Sequence, residues 1–86
     1  MRTIHKFPFA FNNHVNLHMP LGAKIIHVDI QDGIYCFWAI VDTSKPLANY
    51  SFQILGTGHE LPDSLDADHH VGTILHSGFV WHIFER

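Results

Sequence analysis

The chain alternates apolar and polar residues with period two along most of its length, as half-buried β-strands do. From His14 to Met19, three apolar side chains face one way and three polar ones the other. The same alternation predicts strands over Lys24–Gln31, Asn49–Leu55, Val71–His76 and Phe79–Phe84. In the first of these we expect Ile26, Val28 and Ile30 to share one face. No window of ten or more residues has helical spacing, so we expect at most one short turn, within Pro62–Asp66.

Turn residues separate these runs. Asp32-Gly33 lies between two apolar segments and predicts a tight hairpin, since a type I′ turn needs positive φ at both positions. Ser77-Gly78 predicts a second hairpin. The first run, Thr3–Phe11, contains Pro8, which favours an edge strand because proline has no N–H to donate.

The segment Ile34–Val41 has no polar face: Tyr35 and Phe37 begin one apolar side, and Cys36 and Trp38 the other. A strand of this kind is covered on both sides. We therefore expect it to lie centrally, either between two sheets or between a sheet and a partner chain.

The pattern predicts an all-β protein, namely a small antiparallel sandwich or a partly open barrel of about seven strands, with residues 1–86 forming a single domain. Aromatic residues are numerous enough to fill one core. Those expected there are Phe37, Trp38, Phe52, Phe79 and Trp81.

Composition narrows the function classes. The chain is 47% hydrophobic and 15% charged with a net charge of −3, which excludes disorder and predicts no binding to duplex nucleic acid. No apolar run spans a membrane, and the first residues do not resemble a secretory signal. The single cysteine, Cys36, excludes an internal disulfide. These features predict a cytoplasmic protein.

Nine histidines are the most unusual feature of the composition. His59, His69 and His70 are candidate metal ligands together with acidic residues of the same loop, because imidazole and carboxylate suit zinc. The loop acids are Glu60, Asp63, Asp66 and Asp68. However, the spacing matches no metal motif. We interpret the loop as a solvated acidic segment without a cofactor, and keep the metal site as the alternative.

A Gly-Thr-Gly-His element, residues 56–59, is the most distinctive local motif. Its backbone N–H groups are candidates for binding a phosphate or carboxylate, with His59 beside them. The alternative, which we favour, is a strand exit in which the two glycines serve backbone geometry. No lysine of a phosphate-binding loop and no helix follows.

No convincing catalytic set is present. Cys36 lies within an apolar strand, where a thiol is a small hydrophobic group rather than a nucleophile. The surplus of apolar strand surface instead favours self-association, with a dimer as the expected state.

Three segments together resemble a family of small proteins of tailed bacteriophages that consist of one domain of unknown function. They are Ile25–Val28 continuing into Gly33–Ala39, then Gly56-Thr57-Gly58-His59, and finally Gly72-Thr73 with Phe79–Glu85. The resemblance covers the whole chain and implies an accessory protein of the infected bacterial cytoplasm. It transfers no catalytic residue, but it draws attention to Thr57, His59 and His82.

We therefore expect a non-enzymatic phage protein that binds a host protein or a small nucleotide signalling molecule, as an inhibitor of a host defence system. Candidate binding residues are Gly56, Thr57, Gly58, His59, Glu60 and His82. One alternative is a metal-binding or hydrolytic protein that uses His59 with His69 and His70. The other is a structural component of the virion.

Overall fold

The computed structural model describes all residues, 1–86, and contains seven β-strands and one short 3₁₀-helix. The period-two segments form the strands, and most predicted boundaries lie within two residues of the observed ones. The elements are β1 (Arg2–Phe9), β2 (His14–Pro20), β3 (Lys24–Gln31), β4 (Ile34–Asp42), β5 (Leu47–Gly56), the 3₁₀-helix Ala67–His69, β6 (His70–His76) and β7 (Phe79–Glu85).

The strands form two antiparallel sheets that pack face to face. The three-stranded sheet has the order β1-β4-β3, and the four-stranded sheet has the order β2-β5-β7-β6. The predicted all-β architecture of seven antiparallel strands is confirmed, and its two sheets are not closed into a barrel. No helix is both long and apolar enough to cross a membrane.

Both predicted hairpin turns are confirmed by their backbone angles. Asp32 and Gly33 have φ values of 52° and 79°, and Ser77 and Gly78 have values of 53° and 79°. Positive φ at two successive residues is the requirement of a type I′ turn, whose twist matches that of the flanking strands. These turns place the tips of the β3–β4 and β6–β7 hairpins at the same end of the sandwich, where Tyr35 at the start of β4 contacts Leu75 near the end of β6.

The core lies between the sheets and is built around Phe37 and Phe52, which are fully buried with ring centroids 4.9 Å apart. Phe9 stacks on Phe37 at 4.5 Å. Two aromatic residues expected in this core lie elsewhere. Phe79 is 67% exposed beside its turn, and Trp38 lies on the opposite side of β4, away from the core.

The expected alternation in β3 is wrong at Ile26. A β-bulge interrupts the β3–β4 register between Ile25 and His27, so Ile25 pairs with the buried Ala39 while Ile26 is 50% exposed. Because a bulge adds one residue to one strand, it shifts which side chains face the core. Val28 is buried as predicted, but Ile30 is exposed near the hairpin tip.

The outer edges of the two sheets meet where β3 packs against β6. A Cβ atom added to Gly72 would lie 2.2 Å from Cγ1 and 3.3 Å from Cβ of Val28. Only a residue without a side chain allows the two strands to approach this closely. A second bulge, between His70 and Gly72, sets the register of β6 at this point.

Each edge strand carries an interruption of its regular ladder. Pro8 lies within β1, which is an edge strand as predicted, and Pro20 ends β2. The bulges described above interrupt β3 and β6.

One smaller prediction about the connections is wrong and one is confirmed. The loop assigned to residues 42–48 is shorter, because β4 includes Asp42 and β5 begins at Leu47. The short turn predicted within residues 62–66 is present, since the amide of Leu65 donates to the carbonyl of Pro62. The 3₁₀-helix Ala67–His69 follows it, with Asp66 as the N-cap that accepts a hydrogen bond from the amide of Asp68.

Candidate functional site

The predicted binding residues come together in one shallow depression, here called the glycine cleft. It has a volume of about 240 Å³ and lies on the solvent side of the four-stranded sheet. Gly56, Thr57, Gly58, His59 and His82 line it, with Leu55, Leu61 and Phe84. Glu60 is exposed beside the cleft and does not line it.

The backbone of the glycine cleft offers little to an anion. The amide of Thr57 donates to the carbonyl of Val80, that of His59 donates to the carbonyl of Gly56, and that of Gly56 donates to Nδ1 of His59. Anion-binding loops need several converging N–H groups that have no internal acceptor. Since three of the four amides of the Gly-Thr-Gly-His element are already used, its geometry favours the strand exit over a phosphate cradle.

Gly56 allows the His59 ring to fold back over the sheet. A Cβ atom on Gly56 would lie 3.1 Å from Cε1 of His59 and 3.2 Å from Cζ3 of Trp81. The His59 and Trp81 rings meet edge to face, with centroids 5.5 Å apart. The glycine therefore has a packing role that the motif alone did not reveal.

A line of hydrogen-bonded side chains crosses the sheet from the cleft. Oγ1 of Thr57 lies 2.7 Å from Nε2 of His82. The other ring nitrogen of His82, Nδ1, lies 3.5 Å from Oγ1 of Thr73. The same Oγ1 of Thr73 lies 3.1 Å from Nε2 of His70. No carboxylate bonds to either imidazole. A nucleophile–base pair is normally oriented by such a third group and shielded from water. This exposed line is suited to polar contacts and provides no arrangement for hydrolysis.

The three candidate metal ligands lie in separate environments. His69 bonds to Asp66 in the capping box of the 3₁₀-helix, at 3.0 Å from its Oδ1. His70 lies against Thr73, and His59 against Gly56. No three His, Cys, Asp or Glu side chains of the chain are grouped so that they could hold a metal ion. Asp66 and His69 thus serve to cap the 3₁₀-helix.

The largest cavity is a different one, which sequence reasoning missed. A groove of about 550 Å³, here called the aromatic groove, opens at the hairpin end of the sandwich. Its lining comprises Pro8, Phe9, Ala10, Phe11, Gly33, Ile34, Tyr35 and His76. These residues come from β1, the β1–β2 connection, the β3–β4 turn, β4 and β6, so only the folded topology assembles them.

Aromatic contacts fix the shape of this groove. The His76 ring stacks on Phe11 with centroids 4.0 Å apart, and the edge of Phe11 meets Trp81 at 5.2 Å. Oη of Tyr35 donates to the carbonyl of Leu75 at 2.6 Å and lies 3.0 Å from Nδ1 of His76. The groove therefore has apolar walls and two polar groups held in place, which is the usual constitution of a preformed binding site.

Exposed apolar side chains extend the groove over both hairpins. Leu75 and Phe79 are 71% and 67% exposed, and Ile30 and Ile34 are about half exposed. We call these four residues and the aromatic groove together the hairpin-end surface. Exposed apolar side chains gathered at one end of a small protein form a candidate interaction surface.

Comparison with known proteins yields one match. A family model described as a domain of unknown function, DUF7352, matches residues 1–86. No curated protein and no solved structure gives a significant match.

Proposed function

Since the chain belongs to the DUF7352 family, whose function is unknown, we propose on the basis of its geometry that it is a non-enzymatic protein that binds another protein. The site is the hairpin-end surface, which takes up an apolar segment of the partner. The aromatic groove is the observation that carries this proposal.

The groove has the dimensions and chemistry that such binding requires. Its volume of about 550 Å³ accommodates two or three apolar side chains. Each of them contributes about 1.5–3 kcal/mol when it is transferred from water to such a site. Oη of Tyr35 bonds to the carbonyl of Leu75 and lies beside Nδ1 of His76, so these internal contacts hold both rings in place at the groove.

The proposed partner is a protein of the bacterial host. This step follows from the resemblance to small proteins of tailed bacteriophages, which act in the infected cytoplasm. Binding of this kind would inhibit a component of a host defence system by covering the surface with which it contacts its own targets. A nucleotide ligand is the weaker choice, because the amides of the glycine cleft are occupied by internal hydrogen bonds.

The proposal is tested by affinity capture with matched surface variants. The full chain is immobilised and exposed to host lysate, and recovered proteins are identified by mass spectrometry. Phe79→Ser removes an exposed ring from the hairpin-end surface, and Leu47→Ser removes a comparably exposed side chain at the opposite end. Neither change should affect folding, which circular dichroism checks.

We expect the wild type and Leu47→Ser to capture the same host protein in similar amounts. With Phe79→Ser, the amount of this protein recovered should fall by at least tenfold. In isothermal titration calorimetry, the purified partner should then bind the wild type and Leu47→Ser with similar affinity and Phe79→Ser more weakly. Equal retention by both variants would exclude the hairpin-end surface as the site. Recovery of a nucleotide instead of a protein would contradict the proposal.

A further inference from the structure

The three-stranded sheet has an apolar side that is covered only by side chains of its own strands, here called the outer face. Its central strand β4 places Ile34, Cys36, Trp38 and Ile40 on this side, since their neighbours in sequence form the core. Ile34 is 53% exposed, and Trp38 and Ile40 are half-buried. On the neighbouring edge strand β1, the side chains paired with this column include Ile4, which is 54% exposed.

The other edge strand, β3, carries an ordered set of polar groups on the outer face. Its pairing with β4 places Lys24 beside Ile40, His27 beside Trp38, Asp29 beside Cys36 and Gln31 beside Ile34. One half of the strand therefore presents Lys24 and His27, which donate hydrogen bonds. The other half presents Asp29 and Gln31, which accept them.

We propose that a second copy of this chain covers the outer face. The two-fold axis lies in the interface, perpendicular to the strands, and crosses β4 at the level of Phe37. Each strand then lies antiparallel over its own equivalent, in the aligned packing that stacked sheets adopt. Such a contact buries the same surface on both copies and closes on itself.

On β4 and β3 this arrangement matches both the shape and the charge of the face, whereas on β1 it places Lys6 over Pro8 of the second copy. Ile34 lies over Ile40 of the second copy, and the large Trp38 lies over the small Cys36. On β3, Lys24 lies over Gln31 and His27 over Asp29, so that donors meet acceptors twice in each dimer.

Other two-fold arrangements of the same face are less favourable. Moving the axis to the level of Trp38 places Lys6 over Lys6 and His27 over His27. An axis parallel to the strands places the apolar Ile4 over Lys24, according to the observed registers. Like charges that face each other and charges that face apolar groups both oppose association.

Two contacts within the chain must give way. In the first, Nε2 of His27 lies 3.5 Å from Oδ2 of Asp29 in an exposed pair. The second is the bond between Lys6 and Gln31. Nζ of Lys6 donates to Oε1 of Gln31 at 2.8 Å, and because β1 and β3 flank β4, its side chain crosses β4 near Cys36. This crossing is consistent with the 2% exposure of Cys36. The bond is exposed, so its loss costs little. In the dimer, Lys24 of the second copy replaces Lys6 as the donor to Gln31.

The size of the face predicts a reversible dimer. Three strands about 4.8 Å apart and about eight residues long form a face of roughly 400–500 Å² on each copy. The total of roughly 900 Å² is below the roughly 1,200 Å² at which stable specific interfaces begin, so we expect a transient dimer with a dissociation constant on the order of micromolar or above.

Sedimentation velocity over a range of protein concentrations tests the proposal at pH 7.5. His27→Asp places two carboxylates opposite each other in each half of the dimer and should weaken association by about tenfold. The double variant His27→Asp/Asp29→Lys restores opposite charges and should recover the wild-type constant. Both side chains are about 60% exposed, so the fold tolerates the changes. The Phe79→Ser variant, outside the face, should dimerise normally even if the hairpin-end surface has no partner.

Trp38 supplies a second measurement that does not disturb the charges. Its indole becomes covered in the dimer, so the fluorescence emission of the wild type should shift to shorter wavelength as concentration rises. In Trp38→Phe, where Trp81 is the only emitter, this shift should be absent. A protein that stays monomeric up to millimolar concentration would overturn the proposal, as would a dimer whose dissociation constant is the same in the wild type and in both charge variants.

Discussion

Replacing Gly72 by alanine tests the close approach of the two sheets. The added methyl carbon would lie 2.2 Å from Cγ1 of Val28, whereas two carbon atoms normally approach no closer than about 3.5 Å. Val28 cannot easily turn away, because it is 8% exposed and its branched side chain is restricted to few rotamers. Its own Cβ, at 3.3 Å, adds a second obstacle. The strands must therefore move apart locally.

The magnitude follows from two opposing terms. Overpacking by one methyl group in a well-packed core costs about 1–3 kcal/mol. Alanine also lowers the conformational entropy of the unfolded chain, which by itself stabilises the folded protein by about 0.4–1 kcal/mol. The expected loss in the free energy of unfolding is thus about 1–2 kcal/mol, which corresponds to a fall in Tm of roughly 4–16 °C for a chain of this size.

Urea denaturation of Gly72→Ala, Val28→Ala and the double variant measures this contact as a thermodynamic cycle. Val28→Ala alone removes two buried methyl groups and should be destabilising. In the Val28→Ala background, Gly72→Ala should leave the free energy of unfolding unchanged or raise it, since Cγ1 of Val28 is no longer present. If Gly72→Ala costs the same in both backgrounds, the steric explanation is wrong.

Three further predictions concern turns, packing and acid stability. Gly33→Ala should destabilise by about 1–2 kcal/mol in urea denaturation, because φ at this residue is 79°. Gly56→Ala should cost less than about 1 kcal/mol, because the His59 ring can swing into solvent, and NMR should show its protons losing the ring-current shift from Trp81. The side chain and the amide of Ser44 both bond to Asp42 and hold the pKa of that carboxyl below its ordinary value of 3.8. A lowered folded pKa gives a stabilisation that is present above about pH 4 and is lost as pH falls through the folded pKa. In Ser44→Ala the free energy of unfolding should therefore fall less steeply as pH drops below 4. If this pH dependence is the same as in the wild type, the bonds from Ser44 are not its cause.

Local signals predicted most of the strands and both tight hairpins. Asp32-Gly33 specifies its turn through the backbone freedom of two adjacent residues, whatever the rest of the chain does. The bulge at Ile26 was not predictable in the same way. Three isoleucines with period two look like one face, and only the pairing of β3 with β4 shows where the extra residue lies.

The two candidate sites also differ in whether the sequence could predict them. The glycine cleft joins a contiguous motif to His82 on a neighbouring strand, and the resemblance had already drawn attention to both. The aromatic groove joins Phe11 to His76, which are far apart in the chain and meet only because the connection after β1 passes over the end of β6. Clusters of aromatic residues at strand ends are the one signal that would have suggested it.

The interruptions at the sheet edges determine how this chain can polymerise. Fibril growth needs a free strand edge that templates the next molecule through a continuous row of backbone groups. Pro8 and Pro20 remove donors from two of the four edges, and bulges break the row on the other two. These interruptions are therefore expected to oppose the addition of strands from other molecules at the sheet edges, although the chain leaves apolar side chains exposed.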